Sequence, residues 1–567
     1  MLITLSPGPG SIAAPPSSII AASKVGYGGR VRMGGWTPVW IDIVAPASGL
    51  DGTAAVASAS SAGSPGPAVR YSTPVRAAPG ARLRVFIPAI FYDARAPGAI
   101  EIEDAGHTLA SLPIPRLRPA EELIVALSSE ALGAEAVAVR VERVEVAYVA
   151  AEDLPPVWQA YEGVRLLVVR DLDERRLDDA QRRAVQQWVW AGGRLLAMPS
   201  GDDTRHLSGP TLASLLPGVT AGRVDGTASA RAVFTLAPRP GSERLVGGRG
   251  LRWQHGRGQV MLWDRDAADP HARGQLEAVR AWEEVMTPGP PTALPDLEPT
   301  LAPLRPVPTR TQVLVAVLVL AYVLAVRRLS RLAASARPAA IVLVIVSAGL
   351  ATLIAARVAV AARHEASGIV ASIVVINLPG TGSGLVHMLA RTVTAQASEF
   401  TLQAPGGLLL RPAPASGVVV EHGRQTRVLG IGGGLRLAGS GVMPVSITGS
   451  FARLPAGEVA VVANPSGVRV EKPWVLLAGR AQAIPEMSGD ARVPLDAQRW
   501  QARDRLQRTE PNHQLLLWAF SLLESDAILK TTPTWLVGWV RDPALGLRWG
   551  NRAESTPALV LVPLAAR

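Results

Sequence analysis

The segment YEGVRLLVVRDLDERRLDDAQRRAVQQWVWAGGRLLAMPSG at residues 161–201 decides the fold of the middle of this chain. It opens with the uninterrupted apolar run VRLLVV (164–169), which is typical of a strand buried on both faces. In the stretch 177–193 the apolar residues recur near helical spacing, and GRLLAMPSG (193–201) returns to strand character. Strand, helix and strand in this order predict a βαβ unit with two parallel strands.

The ends of the predicted helix carry residues that favour helix termini. Asp178 or Asp179 can serve as the N-cap or as a first-turn acid, and Gly192–Gly193 stops the helix. Together with two earlier apolar runs, the unit predicts a small three-layer α/β domain over residues 118–290. Those runs are ELIVAL (122–127) and VEVAYVA (144–150).

The segment resembles the core of class I glutamine amidotransferase-like domains. More closely, it is similar to their inactive versions in bacterial membrane proteins of unknown function. The resemblance implies a non-enzymatic bacterial protein, an accessory component of an envelope or transport system with protein partners there. Further pieces that fit the same family are YGGRVRMGGWTPVWIDI (27–43), YSTPV (71–75), HGRGQVMLWDRD (255–266) and TWLVGWV (534–540).

The absence of cysteine bears directly on that resemblance. An active amidotransferase needs a cysteine nucleophile beside a histidine, and this chain of 567 residues has none. Disulfides, thiolate metal sites and iron–sulfur clusters are excluded at the same time. The prediction is a protein that has lost the catalytic chemistry of the fold and binds no cofactor.

An alternative prediction is a hydrolase site at the end of the second strand. Ser200 could replace the nucleophile, with Asp202 and His206 as partners in a hydrolase. The surrounding PSGDD lacks the GxSxG context that strains a nucleophilic serine, and a polar turn is expected at this position in any α/β domain. Non-enzymatic binding is therefore the leading prediction, and the serine hydrolase is its alternative.

No metal or nucleotide site is predicted. The eight histidines are scattered, and the closest acids, such as Asp202 and Asp203, are explained as loop acids and helix caps. GTGSG (380–384) lacks the GK[ST] ending of a phosphate loop and is expected to be a hairpin turn.

The net charge of +11 does not indicate nucleic acid as a partner. Only Lys24, Lys472 and Lys530 are lysines, and the arginines are spread along the whole chain instead of forming a basic tract. In the densest soluble cluster, RRLDDAQRR (175–183), acids alternate with the arginines, as on an ion-paired helix.

Two aliphatic runs predict a transmembrane helical hairpin at 307–362, with spans at 307–326 and 338–356 and the lipid bilayer as a partner. The loop between them carries arginines that the positive-inside rule places in the cytoplasm. These topology-determining residues are Arg327, Arg328, Arg331 and Arg337.

Both large portions would then lie outside the cytoplasm of a multi-pass protein of the bacterial cell membrane. Residues 1–24 make a poor intact signal, because prolines interrupt the apolar part, and we interpret them as a degenerate or truncated signal segment; a reversed topology is the alternative.

The remaining regions read as β-structure. Residues 25–117 predict an immunoglobulin-like β-sandwich with strands at 36–44 and 82–91 and a loop over 48–68. A Pro-rich linker is expected at 291–306. A C-terminal β-rich domain is expected at 364–567, with one helix near 511–527. Together, these regions predict a multidomain α+β membrane protein.

Overall fold

The computed structural model describes most of the chain outside the region 269–367. The described residues are 11–13, 19–58, 69–95, 97–135, 144–224, 233–245, 249–268, 368–378, 381–393, 399–404, 407–413, 418–423, 426–431, 435–455, 457–502, 513–526, 529, 532, 534–541, 548–549, 552–553 and 557–566, with single positions 282, 297, 320, 324, 327 and 328.

The N-terminal region is built from antiparallel strands that pack as two sheets around a shared core. One sheet has the order β1-β2-β4-β7, and β5, β6, β8 and β9 belong to the facing sheet. The alternation of buried and exposed residues on these strands follows from the period of two in a pleated strand. The strands are β1 Ser11–Ala13, β2 Ile20–Val25, β3 Arg30–Val31, β4 Trp36–Val44, β5 Leu50–Ser58, β6 Val69–Ala77, β7 Arg82–Ile90, β8 Gly98–Asp104, β9 His107–Pro113 and β10 Arg118–Pro119.

Strand β5 lies where a loop was predicted over 48–68, and that part of the prediction is wrong. Ala54, Ala55 and Val56 are fully buried between β6 and β8. Small side chains let neighbouring layers approach closely, although alanine and serine by themselves indicate a loop. Residues 59–68 lie outside the described part of the chain.

The middle region contains the predicted strand–helix–strand, because β13 and β14 pair in parallel and α1 connects them. The five parallel strands run in the order β12-β11-β13-β14-β19, followed by antiparallel β18 and β17. In chain order this is 2-1-3-4-5, the flavodoxin-like order of open α/β sheets. The elements are β11 Glu122–Leu127, β12 Val144–Tyr148, β13 Val164–Val169, α1 Asp179–Ala191, β14 Arg194–Ala197, α2 Pro210–Leu215, β15 Gly218–Val224, β16 Val233–Pro238, β17 Glu243–Arg244, β18 Gly250–His255 and β19 Gly258–Trp263.

Both ends of α1 follow from the sequence. The Asp178 carboxylate accepts a hydrogen bond from the Gln181 amide at 2.7 Å, and the Gln181 side chain accepts one from the Asp178 amide at 3.0 Å, forming a capping box. Gly192 has a φ of 126°, which favours glycine. A Cβ on Gly193 would lie 2.3 Å from the Trp188 ring, so the helix can fold back on the next strand only with glycine there.

The C-terminal region is also β-rich, and its described residues include the helix α3 at the predicted place. Its largest sheet has the central order β23-β26-β21-β20-β36-β33-β29-β30-β32. The elements are β20 Gly368–Leu378, β21 Ser383–Val393, β22 Glu399–Ala404, β23 Leu408–Pro412, β24 Val419–His422, β25 Thr426–Ile431, β26 Arg436–Pro444, β27 Thr448–Leu454, β28 Gly457–Ala463, β29 Val470–Leu477, β30 Arg480–Ala483, β31 Ala491–Leu495, β32 Gln501–Ala502, α3 His513–Ser525, β33 Thr534–Val540, β34 Arg548–Trp549, β35 Arg552–Ala553 and β36 Ala558–Ala566.

The N-terminal and C-terminal regions share one sheet. Strand β24 pairs in parallel with β6, so the sheet runs β35-β34-β22-β25-β24-β6-β5-β8-β9 through both regions. A common hydrophobic core includes residues from both sides of this junction. Because backbone hydrogen bonds cross it, the two β regions form one structural unit with the α/β region packed against it.

The α/β region is fastened to the C-terminal region by a buried ion pair. Arg257 follows the turn at Gly256 between β18 and β19, and its Nη2 donates to Asp526 Oδ2, just beyond α3, at 2.6 Å. Its Nη1 donates to the Ala191 carbonyl at the end of α1, where a cation complements the helix dipole. A Cβ on Gly258 would lie 1.9 Å from the Val189 carbonyl oxygen, so this close approach requires glycine.

The predicted fold class, a multidomain α+β membrane protein with a helical hairpin, is wrong. Strands predominate, and no helix in the described part of the chain is long and apolar enough to cross a membrane. Both α1 and α3 have 13 residues, about 20 Å of helix against the roughly 30 Å of a hydrocarbon core. In the described part of the chain, aliphatic runs fill sheets, as in the buried residues of β20 and β36.

The predicted localisation is corrected for the same reason. The prediction of a multi-pass protein with both large portions outside the cytoplasm depended on the two membrane-spanning helices of the hairpin. The spans 307–326 and 338–356 lie outside the described residues except for single positions. Those positions are Leu320, Leu324, Arg327 and Arg328, whereas Arg331 and Arg337 are not described.

A buried histidine at the shared sheet makes stability depend on pH. His422 ends β24, stacks on Tyr71 with ring centroids 6.3 Å apart and meets Trp36 edge-on at 5.9 Å. Burial lowers the pKa of His422 from 6.5 to about 4. The unfolded chain therefore binds more protons than the folded chain between these two pH values.

We expect the free energy of unfolding to have its full value above pH 6.5 and to fall as the pH drops towards 4. Protonation of His422 accounts for up to about 3 kcal/mol of this decrease. Denaturant titrations from pH 7 to pH 4 measure this dependence. His422→Phe should flatten it, while His107→Phe at an exposed position should leave it intact. Equal pH profiles for the wild type and His422→Phe would contradict the assignment.

Candidate functional site

The carboxyl edge of the α/β sheet is the first candidate site. In an open sheet of this order, ligands bind in the crevice at the switch point, here between the carboxyl ends of β11 and β13. The chain leaves β11 at Ser128 and Ser129, and it leaves β13 at Arg170 and Asp171. The turn that contains Ser200 follows β14 at the same edge.

Asp171 is held by hydroxyl and amide groups from both neighbouring turns. Ser200 Oγ donates to Asp171 Oδ1 at 2.5 Å, and the Ser129 amide and hydroxyl both donate to Oδ2 at 2.9 Å. Burial by itself would raise the pKa of Asp171, but these hydrogen bonds and the charge of Arg170 outweigh it, so the pKa is lowered. The carboxylate is thus a charged acceptor that ties the three turns together.

Arg170 and Asp266 form a second, buried pair behind Asp171. Arg170 Nε and Nη2 donate to the two carboxylate oxygens of Asp266 at 2.7 and 2.9 Å, and its Nη1 donates to Asp171 at 2.8 Å. Asp266 also accepts from the amides of Gly201 and Ala268. Burial opposes ionisation of Asp266, but the Arg170 hydrogen bonds and these amides lower its pKa to about 2.

The three residues of the predicted hydrolase site do not form a hydrogen-bonded relay with one another. Ser200 donates to Asp171, whereas His206 Nε2 lies 2.9 Å from the Met198 carbonyl oxygen. Asp202 pairs with Arg223 at 3.0 Å. Burial lowers the pKa of His206, although the Met198 carbonyl and nearby carboxylates oppose this. Within the described residues, no group of three or more metal-ligating side chains comes together.

A cavity of about 240 Å³ between the three regions is the second candidate site. Its residues come from β4, from the turn at 158–161, from α1, and from β21, β23 and β26 of the C-terminal sheet. The lining is chiefly apolar, with a few convergent polar groups, as in most small-molecule sites. The lining includes the side chains of Trp36, Trp158, Gln159, Glu162, Trp188, Arg411 and Ala438.

The charged groups at the cavity neutralise one another. Glu162 and Arg411 form an ion pair, and Glu162 also accepts a hydrogen bond from the Trp36 amide at 3.2 Å. Gln159 Nε2 donates to the Ser440 carbonyl oxygen at 2.7 Å, which fixes the turn against β26. These contacts join the α/β region to the C-terminal sheet beside the cavity.

Two of the tryptophans that line the cavity have an indole nitrogen without a hydrogen-bond partner. Nε1 of Trp158 and Nε1 of Trp188 are buried without a hydrogen-bond partner, and their residues are 7% and 0% exposed. A buried N–H without an acceptor costs free energy. These donors were missed from the sequence because the residues that enclose them are far apart along the chain.

Fold and sites define a β-rich protein in which a flavodoxin-ordered α/β sheet packs against two β regions that share a sheet. Residues 18–115 match a family described as a domain of unknown function, DUF8726. A search of curated proteins found no match.

Solved structures give weak likenesses. An exo-β-1,4-mannosidase from Opitutaceae bacterium strain TAV5 is 15% identical with a TM-score of 0.22, over 29% of this chain and 35% of that one. A β-galactosidase from Bacillus circulans sp. alkalophilus is 9% identical with a TM-score of 0.21, over 56% of this chain and 41% of that one. The chain thus spans 35–41% of the length of these two structures.

Proposed function

We propose that this chain is a non-enzymatic binding or scaffold protein. The observation that carries the proposal is the use of the ionisable groups at the sheet edge in mutual contacts. Asp171 accepts from Ser200 and Ser129, and Asp266 accepts both prongs of Arg170. A general base must reach the proton it removes, and the Nε2 of His206 is directed at a backbone carbonyl.

The cavity supports a binding role in place of catalysis. It lies where the three regions meet, and its fixed ion pair and hydrogen bonds give a preformed site. A ligand there would contact the α/β region and the C-terminal sheet together, so occupancy would stabilise their association. In this proposal the hydrogen-bonded network at the sheet edge stabilises the α/β region, and the cavity binds the ligand.

The alternative is the serine hydrolase, and the short contact between Ser200 and Asp171 is the observation that favours it. A carboxylate can orient or activate a nucleophile when a base takes its proton. The hydrolase and the non-enzymatic protein can be distinguished experimentally, because hydrolysis would depend on Ser200 itself.

The experiment compares wild type and Ser200→Ala for hydrolysis of p-nitrophenyl acetate and of glutamine. We expect both proteins to match the buffer rate, with Ser200→Ala about 1 kcal/mol less stable because it loses one hydrogen bond. A Ser200-dependent rate more than about 100-fold above buffer would overturn the proposal. Arg223→Ala, which breaks an exposed ion pair beside this loop and replaces none of the three candidate residues, is the matched control.

A further inference from the structure

We infer that the cavity between the three regions binds a small amphipathic carboxylate, whose apolar body lies in the cavity and whose carboxylate lies on two arginines beside it. The inference deepens the proposed binding function and rests on it. Arg391 of β21 and Arg436 of β26 are these arginines, and they are called the arginine pair below. Three observations carry the inference: the strand register, the opposed charges of the pair and the apolar lining.

The strand register places the arginine pair next to the cavity. Leu389 and Ala438 line the cavity and pair with each other across β21 and β26. Arg391 and Arg436 are the pair two residues further along both strands. Side chains two residues apart project from the same face of a sheet at a spacing of about 7 Å, and Ala390 between them belongs to the core on the other face. Both arginines therefore project from the face that bears the cavity.

The arginine pair puts two like charges directly opposite each other. Such residues on antiparallel strands have Cβ atoms about 5 Å apart, and like charges at this distance are destabilising. Arg391 is half-buried: its Nε is enclosed without a hydrogen-bond partner, whereas its Nη1 and Nη2 are not enclosed. Among the described residues, no carboxylate forms an ion pair with Arg391. An anion between the two guanidinium groups would relieve the repulsion and give Arg391 a counter-ion.

A carboxylate suits this position better than a spherical ion. Its two oxygens match the planar fork of N–H donors on a guanidinium group, so each arginine gains directed, charge-assisted hydrogen bonds. Arg411 on the neighbouring strand β23 does not compete for the ligand, because it already pairs with Glu162. The anionic group of the ligand is thus assigned to the arginine pair.

The lining of the cavity indicates an apolar body for the rest of the ligand. A volume of about 240 Å³ exceeds the roughly 150 Å³ of an apolar cavity that accommodates benzene. One aromatic ring therefore fits, and a short chain spans the step of about 7 Å from the lining residues to the arginine pair. The apolar lining residues are Trp36, Trp158, Trp188, Leu297, Leu385 and Leu389.

The test is titration calorimetry of the full chain with 3-phenylpropanoate, 3-phenylpropanamide and acetate at pH 7, where both acids are ionised. The amide keeps the apolar body without the charge, and acetate keeps the charge without the body. We expect 3-phenylpropanoate to bind at least about tenfold more tightly than either of the others.

Arg391→Gln removes the charge and keeps a long polar side chain. It should weaken binding of 3-phenylpropanoate about tenfold and leave binding of the amide unchanged. Arg427→Gln is the matched control, because Arg427 is an exposed arginine of β25 that does not line the cavity. Ala438→Leu fills the cavity and should abolish binding of both compounds. Denaturation curves confirm that each variant is folded.

Absence of 3-phenylpropanoate binding by the wild type, or equally tight binding of the amide or of acetate, would overturn the inference. Equal affinities of Arg391→Gln and Arg427→Gln for 3-phenylpropanoate would do the same. These outcomes are separate from failure of the non-enzymatic proposal, which would appear as Ser200-dependent hydrolysis.

Discussion

Replacement of Asp526 by alanine is expected to lower the free energy of unfolding by about 3–5 kcal/mol. The carboxylate lies 2.6 Å from Arg257 Nη2, and the two side chains are 3% and 1% exposed. Alanine would leave the Arg257 guanidinium buried without this counter-ion. Asp526 Oδ1 also accepts from the Leu529 amide at 3.0 Å, so the turn after α3 would lose an anchor as well.

Equilibrium denaturation measures this effect, and Asp51→Ala is the control. Asp51 pairs with Arg76, but both side chains are largely exposed, so its replacement should change stability by no more than about 0.5 kcal/mol. The double variant Arg257→Met with Asp526→Leu should recover most of the loss, because both charges are then removed. Similar losses in Asp526→Ala and Asp51→Ala would contradict the assigned role.

Asp266→Ala is expected to have an effect of the same size, about 3–5 kcal/mol. It removes the carboxylate that accepts two hydrogen bonds from the 3%-exposed Arg170 and leaves the Gly201 and Ala268 amides without this acceptor. Asp171 still pairs with Arg170 Nη1, so the lower end of the range is expected.

Asp202→Ala provides the comparison at the same edge. Asp202 lies two residues after Ser200 and pairs with Arg223, and both side chains are more than half exposed, so about 0.5 kcal/mol or less is expected. Urea titration of both variants distinguishes a structural network from a set of solvated loop acids. Stability losses below about 1 kcal/mol in both would show that the network does not hold the edge.

The sequence predicted the elements that local chemistry specifies. The apolar run 164–169, the capping residue Asp178 and the glycine pair 192–193 predicted β13, α1 and β14 because each signal acts within a few residues. Strand β4 was predicted in the same way from 36–44. Hydrophobic periodicity and helix-capping residues therefore predict individual helices and strands.

Pairings between distant segments were not predictable from one sequence. β24 joins β6 across more than 340 residues, and Asp266 meets Arg170 across 96. Periodicity shows which face of a strand is buried but not which strand lies beside it. The membrane prediction rested on two apolar runs that lie almost entirely outside the described residues, and an apolar run by itself does not show whether lipid or protein covers it.

The candidate sites divide in the same way. The polar turn at Ser200 was predictable because carboxyl ends of parallel strands meet at one edge. Its hydrogen bond to Asp171 was not predicted, since 29 residues separate the two. The cavity depends on tryptophans from β4 and α1 facing β21 and β26, and that arrangement exists only in the folded chain.

Covalent labelling with a fluorophosphonate, mapped by mass spectrometry, tests most directly whether the sheet edge is structural and not catalytic. We expect the Ser200 peptide of the wild type to remain unlabelled, since no relay activates its hydroxyl. A stoichiometric adduct on Ser200 that disappears in His206→Ala would contradict the account.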